Sequence, residues 1–332
     1  MPLIKLNKNN FFNNLDIIAR ITKDRDKIAL VLKDNAYGHG LVEVATMAKE
    51  YGITRAVVRS CDEAKEIESY FEYILVLADI PKESNEKIRY TINDLDAIKE
   101  FPKGTKVELK LDTGMHRNGI ECELIQDAIS SIKKQGLILE ALFTHHSSAD
   151  ELNSVWFTQN KAFTKIKEKM LNLGYTDLRY HSANSASLFR VDEFDEDMAR
   201  VGIAAYGCLE SEVTEQNLKP VLSLHALKNS SRILQDGQSI GYSGTFTSSK
   251  DQVVTNYDFG YGDGFMRMLS NNFETPNGIK QLGNISMDNS SFLSSDKEIL
   301  IFDDARVIAK VANTISYEIL TSLKKYIKRE II

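Results

Sequence analysis

The sequence predicts an α/β protein: a (β/α)8 barrel followed by a smaller, mainly β C-terminal domain. Two observations carry this. From residue 28 to about 205, eight short β-rich runs alternate with helical stretches, the pattern of parallel strands covered by helices; eight repeats suit a closed barrel better than an open sheet. After about residue 215 the texture changes to short strands separated by Gly, Asp and Asn turns, which reads as a β-rich unit of its own.

The expected barrel strands are IALVLK (28–33), RAVVR (55–59), YILVL (73–77), RYTI (89–92), KVELKL (106–111), LEALF (139–143), LRYHS (178–182) and ARVGI (199–203). Segments such as LVEVATMAKEYG and SVWFTQNKAFTKIKEKMLNLG supply the helices between them. The fourth run is the weakest of the eight, and the helix after it is short. Downstream, LKPVLSLHALKNS, RILQDGQSIGYSGTF, DQVVTNYDFGYGDG and GNISMDNSSFL read as successive short strands and turns. The barrel is assigned to 8–215 and the β-rich domain to 216–332, with residues 2–7 (PLIKLN) as a further strand that could pair with the latter. A chain of 332 residues exceeds one ordinary core and suits a large domain with a smaller one.

Composition narrows the function classes. Apolar residues make up 42% and charged residues 27%, the profile of a soluble globular protein. Lys and Arg total 41 against 47 Asp and Glu, a net charge of −6. That argues against nucleic acid or a membrane as a partner, while leaving room for a local basic pocket. The opening MPLIKLNKNN lacks a secretory apolar stretch, and nothing approaches the ~18 apolar residues of a membrane span. Cys61, Cys122 and Cys208 are widely separated and form neither a disulfide framework nor a metal-ligand cluster. A cytoplasmic location is expected. The GYSG and GYGDG segments fit neither a dinucleotide fingerprint nor a Walker A loop, and no H-E-x-x-H or C-x-x-C metal spacing occurs.

Lys33 closes an apolar run and is followed by DNAYGHG. In a (β/α)8 barrel the C-terminal strand ends form the active-site face. A desolvated lysine there loses its proton more easily, which suits Schiff-base chemistry. Taken alone, the same lysine reads as an ordinary strand-end surface residue.

The surroundings change that weighting. Lys33-Asp34-Asn35-Ala36-Tyr37-Gly38-His39-Gly40 resembles the cofactor-lysine signature of the alanine racemase family. Further segments resemble that family in its order: KLDTGMHRNG (110–119), Thr144-His145-His146, HSANSA (181–186), RVGI (200–203), GYSGTF (241–246), GYGDG (260–264), SMD (286–288) and NTISYE (313–318). The resemblance runs from residue 2 to about 320.

It implies a pyridoxal 5'-phosphate enzyme that interconverts L- and D-alanine and supplies D-alanine for the bacterial cell wall. It makes Lys33 and Tyr242 the two catalytic bases, Lys33 also holding the cofactor covalently. Tyr37, Ser185, Gly202, Ile203 and Tyr317 are implied to hold the phosphate, Arg200 to face the pyridine nitrogen, and His181 to support Arg200. His145 becomes the neighbour of Tyr242; Arg117 and Met287 become substrate-contacting residues, with Arg117 also near the cofactor's phenolic oxygen. Tyr261, in a glycine-rich setting like that of Tyr242, is grouped with the substrate contacts. His39 and His116 are left as structural. The family also implies a head-to-tail homodimer with composite sites, and in some members a carbamylated lysine at the position of Lys110.

The chemistry is coherent. Racemisation removes a proton from one face of Cα and returns one to the other, so it needs a base on each face. Each positioned base is worth roughly 10²–10⁴-fold. Lys and Tyr titrate near 10 when unperturbed, and a cationic site lowers both. Three rival readings stand beside it: a barrel decarboxylase, whose β-domain carries a cysteine signature absent here; a non-catalytic cofactor carrier made of the barrel alone; and a broad-specificity racemase. The ending KKYIKREII and His116 depart from the family pattern.

Overall fold

The computed structural model describes residues 2–212 and 217–332. The inferred domain boundary at 215/216 lies outside the described residues. Strand β1 (Leu3–Leu6) leads into a helix, Lys8–Thr22, that buries Phe11, Asn14, Leu15, Ile18 and Thr22 along one face. The barrel strands follow: β2 (Ile28–Val31), β3 (Arg55–Val58), β4 (Tyr73–Val76), β5 (Ile88–Ile92) and β6 (Lys106–Asp112). After a two-residue strand, β7 (Ile120–Glu121), come β8 (Ile138–Phe143), β9 (Arg179–His181) and β10 (Ala199–Val201).

All eight expected strands are present, and they pair in parallel in the order β10-β2-β3-β4-β5-β6-β8-β9. β2 and β4 are buried at every residue, as strands covered on both faces must be. The weakest of the eight runs forms β5, followed only by a 3-10 turn, Asp96–Glu100. The barrel is nearly closed: β9 and β10 form no ladder, and two backbone bonds bridge the gap between them, Asp197 N–H to Tyr180 O (3.2 Å) and Arg200 N–H to Ala183 O (2.9 Å). Helices such as Leu41–Tyr51, Ile125–Gln135 and Val155–Asn172 cover the outside.

The C-terminal strands are β11 (Leu222–Leu234), β12 (Ser239–Ile240), β13 (Phe246–Thr247), β14 (Gln252–Tyr257), β15 (Gln281–Leu282), β16 (Ser290–Phe292), β17 (Glu298–Phe302) and β18 (Lys328–Ile331). The two expected runs LSLHALKNS and RIL are one continuous strand, β11, with a register shift between Lys228 and Ser230. That irregularity lets one strand pair with β1 and β17 at one end and β14 at the other. β1 lies between β11 and β18.

Asn14 ties the first helix to the chain around the domain junction. Its side-chain amide donates to Ala205 O (3.0 Å) and Lys219 O (2.8 Å), and its oxygen accepts from Lys219 N–H (2.8 Å). Asn14→Ala is expected to lower the unfolding free energy by roughly 1–3 kcal/mol, because it strands buried backbone groups; urea titration measures this, and an unchanged midpoint contradicts it.

Candidate active site

Lys33 does not end a strand. β2 stops at Val31, and Lys33 opens a turn in which Asp34, Asn35, Ala36 and Tyr37 all have positive φ, between 49° and 57°. A left-handed turn of L-residues costs roughly 1–2 kcal/mol per residue, so its surroundings must hold it. Backbone bonds close the turn: Ala36 N–H to Leu32 O (2.8 Å), His39 N–H to Ala36 O (3.1 Å) and Gly40 N–H to Asn35 O (3.0 Å). His39, fully buried, places Nδ1 against the Ala36 and Tyr37 carbonyls and stacks on Tyr206 at 4.3 Å. From the C-terminal domain, Arg329 donates to Gly38 O through Nε (3.1 Å) and Nη2 (2.8 Å). Gly38 has φ 77°, and a Cβ there would lie 1.9 Å from Leu320 O.

The desolvation expected at Lys33 falls elsewhere. Lys33 is about one-third exposed, with Nζ 3.4 Å from Asp34 Oδ2. Lys110 is the desolvated lysine: burial, then Arg117 and Arg200, push its ammonium down to about 8. The same cations surround His145, which burial, Arg200, Lys110 and Arg117 hold well below the ordinary histidine range. Arg117 itself lies exposed on the loop after β6.

Arg200, on β10, is 5% exposed. It spends Nη2 on Thr144 O (2.6 Å) and Ser182 O (3.1 Å), and Nη1 on His181 Nδ1 (2.5 Å). Its Nε–H has no partner among the described residues. His181, on β9, is fully buried, stacks on Phe143 and places Nε2 2.9 Å from Glu108 Oε2.

Where β10 ends, the predicted run ARVGI leaves the sheet: Gly202 and Ile203 form a turn. Ser185 Oγ accepts from Gly202 N–H (3.0 Å) and Ala204 N–H (3.3 Å), while Ile203 N–H has no partner among the described residues. A Cβ on Gly202 would meet the Tyr37 ring at 2.8 Å and its hydroxyl at 3.1 Å. Tyr317, on the helix Ser316–Ser322, brings its ring to 5.5 Å from that of Tyr37. Hydroxyls and a free backbone N–H thus converge at one turn, the donor set that binds a phosphate dianion.

Tyr242, Tyr261 and Met287 stand apart from this group, exposed at 66%, 39% and 55%. One segment links all three: Asn284 donates to Tyr242 O (2.9 Å), Ser286 O accepts from Tyr261 N–H (3.0 Å), and Met287 O accepts from Gly262 N–H (2.8 Å). They form a single outward-facing patch.

Sequence reasoning missed Glu108, Arg179 and Arg329. The signal for Glu108 was available. In KVELKL, charged residues alternate with Val107, Leu109 and Leu111, and the strand period of two puts the charges on the barrel's inner face.

The fold is that of a barrel enzyme with a mainly β C-terminal part, and the comparisons place it in the isomerase class. The alanine racemase N-terminal domain model matches residues 6–210, and the C-terminal domain model matches 221–331. Alanine racemases of Campylobacter jejuni and Nitratiruptor are 42% identical, over 100% and 99% of both chains respectively. The solved Bacillus anthracis alanine racemase with bound L-Ala-P superposes at a TM-score of 0.90 with 27% identity, covering 100% of this chain and 95% of that one; the Clostridium difficile enzyme gives 0.91 and 25%, with the same coverage. This chain belongs to the alanine racemase family.

The clamp on the lysine turn is open to test. Gly38→Ala should lower the urea midpoint far more than Gly52→Ala. Both glycines have positive φ, but nothing lies within 4 Å of a Cβ at Gly52, so that variant carries only the conformational cost of roughly 1–2 kcal/mol. Equal shifts contradict the clamp.

Proposed function

We propose that this chain racemises alanine with pyridoxal 5'-phosphate, using Lys33 and Tyr242 as bases on opposite faces of Cα, in composite sites of a homodimer. The single observation that carries the reading is the division of the machinery: Lys33 sits among the barrel groups, while Tyr242 and Met287 are exposed on an outward patch of the β-rich domain. An isologous dimer brings two such complementary halves together twice.

The residues present fit the cofactor. Tyr37, Ser185, Tyr317 and the backbone of Gly202 and Ile203 would hold its phosphate. Arg200 would meet the ring nitrogen through its unpartnered Nε–H, a permanent donor that leaves that nitrogen unprotonated. Arg117 would serve both the phenolic oxygen and the substrate carboxylate. Bound pyridoxal phosphate supplies an electron sink that acidifies the Cα–H of an amino acid. Lys33 Nζ, one-third exposed beside Asp34, takes or returns the proton on the D face, and Tyr242 Oη on the L face. His145, kept uncharged by burial and its cationic neighbours, can accept a hydrogen bond from the tyrosine. Among the described residues no helix is long and apolar enough to cross a membrane, in keeping with cytoplasmic supply of D-alanine to the cell wall.

Complementation tests both halves of the reading. Lys33→Ala and Tyr242→Phe should each lose roughly 10²–10⁴-fold in racemisation. Unfolded and refolded together, they should regain activity, because a mixed dimer contains one site with both native bases. Absence of rescue places both bases within one chain. Tyr242→Phe should still exchange the α-proton of D-alanine into deuterated water, but hardly that of L-alanine; equal exchange removes Tyr242 from the mechanism.

Lys110 yields a second prediction. Carbamylation requires an uncharged amine, and its pKa of about 8 supplies one near neutrality. The sign follows: CO₂ uptake rises as pH climbs through about 8 and falls below it. Native mass spectrometry should show one added CO₂ per chain in bicarbonate, lost in Lys110→Arg.

A further inference from the structure

We propose that Glu108 is a positioning residue for the site: its buried carboxylate fixes His181 with the proton on Nε2, so that Nδ1 is free to accept from Arg200. The role of Arg200 at the cofactor rests on the reading above; the state of the His181 ring does not.

Glu108 has no exposed surface. Its neighbours come from strands that are not adjacent to β6, so the contacts run through the barrel interior. Oε1 accepts from the Tyr73 hydroxyl (2.5 Å) and from Arg179 Nη2 (2.8 Å); Oε2 lies 2.9 Å from His181 Nε2. On the far side of the ring, Nδ1 lies 2.5 Å from Arg200 Nη1. A guanidinium has donors and no acceptor, and an ionised carboxylate has acceptors and no donor. One ring state satisfies both contacts: neutral imidazole with Nε2–H toward Glu108 and a lone pair toward Arg200. The imidazolium would turn an N–H against the Arg200 N–H, and the other tautomer would fail at both ends.

The electrostatics agree. Burial, with Arg200 and Arg179 and against the opposing pull of Glu108, holds His181 below the ordinary histidine range, the direction that favours the uncharged ring. Burial opposes the charge on Glu108, yet the contact with His181, then Arg179 and the Tyr73 hydroxyl, holds the carboxyl below the ordinary range.

The geometry also defines an isosteric inversion. In Glu108→Gln the amide oxygen must stay with Arg179, which has donors only, on the side where the Tyr73 hydroxyl also donates. The NH₂ then faces His181 Nε2, which must accept, and the ring proton moves to Nδ1, against Arg200. The guanidinium loses its contact with His181 Nδ1 and keeps Thr144 O, Ser182 O and the longer bond to His181 O. An inverted triad histidine costs about 10⁴-fold in kcat; here the ring acts one residue further from substrate, and supporting residues of this kind are worth about 10–100-fold.

The test is long-range ¹⁵N–¹H correlation NMR of the holoenzyme labelled at histidine, with the His181 signals identified by their loss in His181→Asn. Wild type and Tyr73→Phe should show the Nε2–H tautomer, and Glu108→Gln the Nδ1–H tautomer. Glu108→Gln should lose about 10–100-fold in kcat with KM less affected, and Glu108→Asp, which keeps a carboxylate, should recover part of it. A wild-type ring that is doubly protonated, or protonated on Nδ1, overturns the inference even if Glu108→Gln fails to fold. So does a Glu108→Gln ring that keeps its proton on Nε2. Inversion with unchanged kcat removes the positioning role. A wild-type protein without racemase activity sinks the proposed function and leaves the tautomer result standing.

Discussion

The rest of the site depends on a chain of charged and polar side chains running through the barrel. Arg89 pairs with Glu140 (2.8 Å), Glu140 with Arg179 (2.9 Å), and Arg179 with Glu108 (2.8 Å); from there the chain passes through His181 to Arg200. Ion pairs taken out of water are a poor source of stability, because desolvation offsets most of the attraction. What such a chain provides is orientation. Every member donates or accepts in one direction only, so the arrangement at the base of the barrel dictates the one at its mouth. Arg200 is thereby held at three of its contacts by groups with no freedom to turn.

The second constraint is the left-handed turn after Lys33. It sets where the lysine stands, and its four positive-φ residues make it a conformation the chain would not adopt unaided. Local bonds close the turn, and further contacts come from outside the barrel. Arg329 and the Leu320 carbonyl belong to the C-terminal domain, and both meet the turn at Gly38. The β-rich domain therefore does two separate things. The helix Ser316–Ser322 and β18 grip their own barrel, while the segment around Asn284–Met287 presents Tyr242, Tyr261 and Met287 outward.

Much of this was legible in the sequence, for identifiable reasons. Parallel strands covered on both faces must be short and apolar, and IALV and YILV announce themselves. Lys33, Arg200, His181 and Ser185 were found through motif resemblance, and the structure brings them to one end of the barrel. Two things were hidden. The run IALVLK looks like a strand up to its lysine, because nothing in Asp34 to Tyr37 marks a left-handed turn beyond the tolerance of Asp and Asn for that region. The continuity of β11 was masked by Lys228-Asn229-Ser230-Ser231, polar residues that read as a turn and prove to be the exposed stretch of a long strand.

Glu108 was missed for a different reason: inner-face charges in a strand are ordinarily assigned to solvent, and a barrel of this size has no solvent inside it. Once the sheet closes, the alternation that would mark a half-exposed strand becomes the signature of a polar interior. Each charge on the inner face then needs a partner from another strand, and the partners are fixed by strand order before any function is considered. Glu108 on β6 reaches Tyr73 on β4 and His181 on β9, and so ties the side of the barrel formed by β4 to β6 to the strand beside the seam. Among the described residues two backbone bonds bridge the gap between β9 and β10, and the side chains of His181 and Arg200 meet across it. The side-chain contact that spans the gap between β9 and β10 is thus also one that fixes the donor at the barrel's mouth.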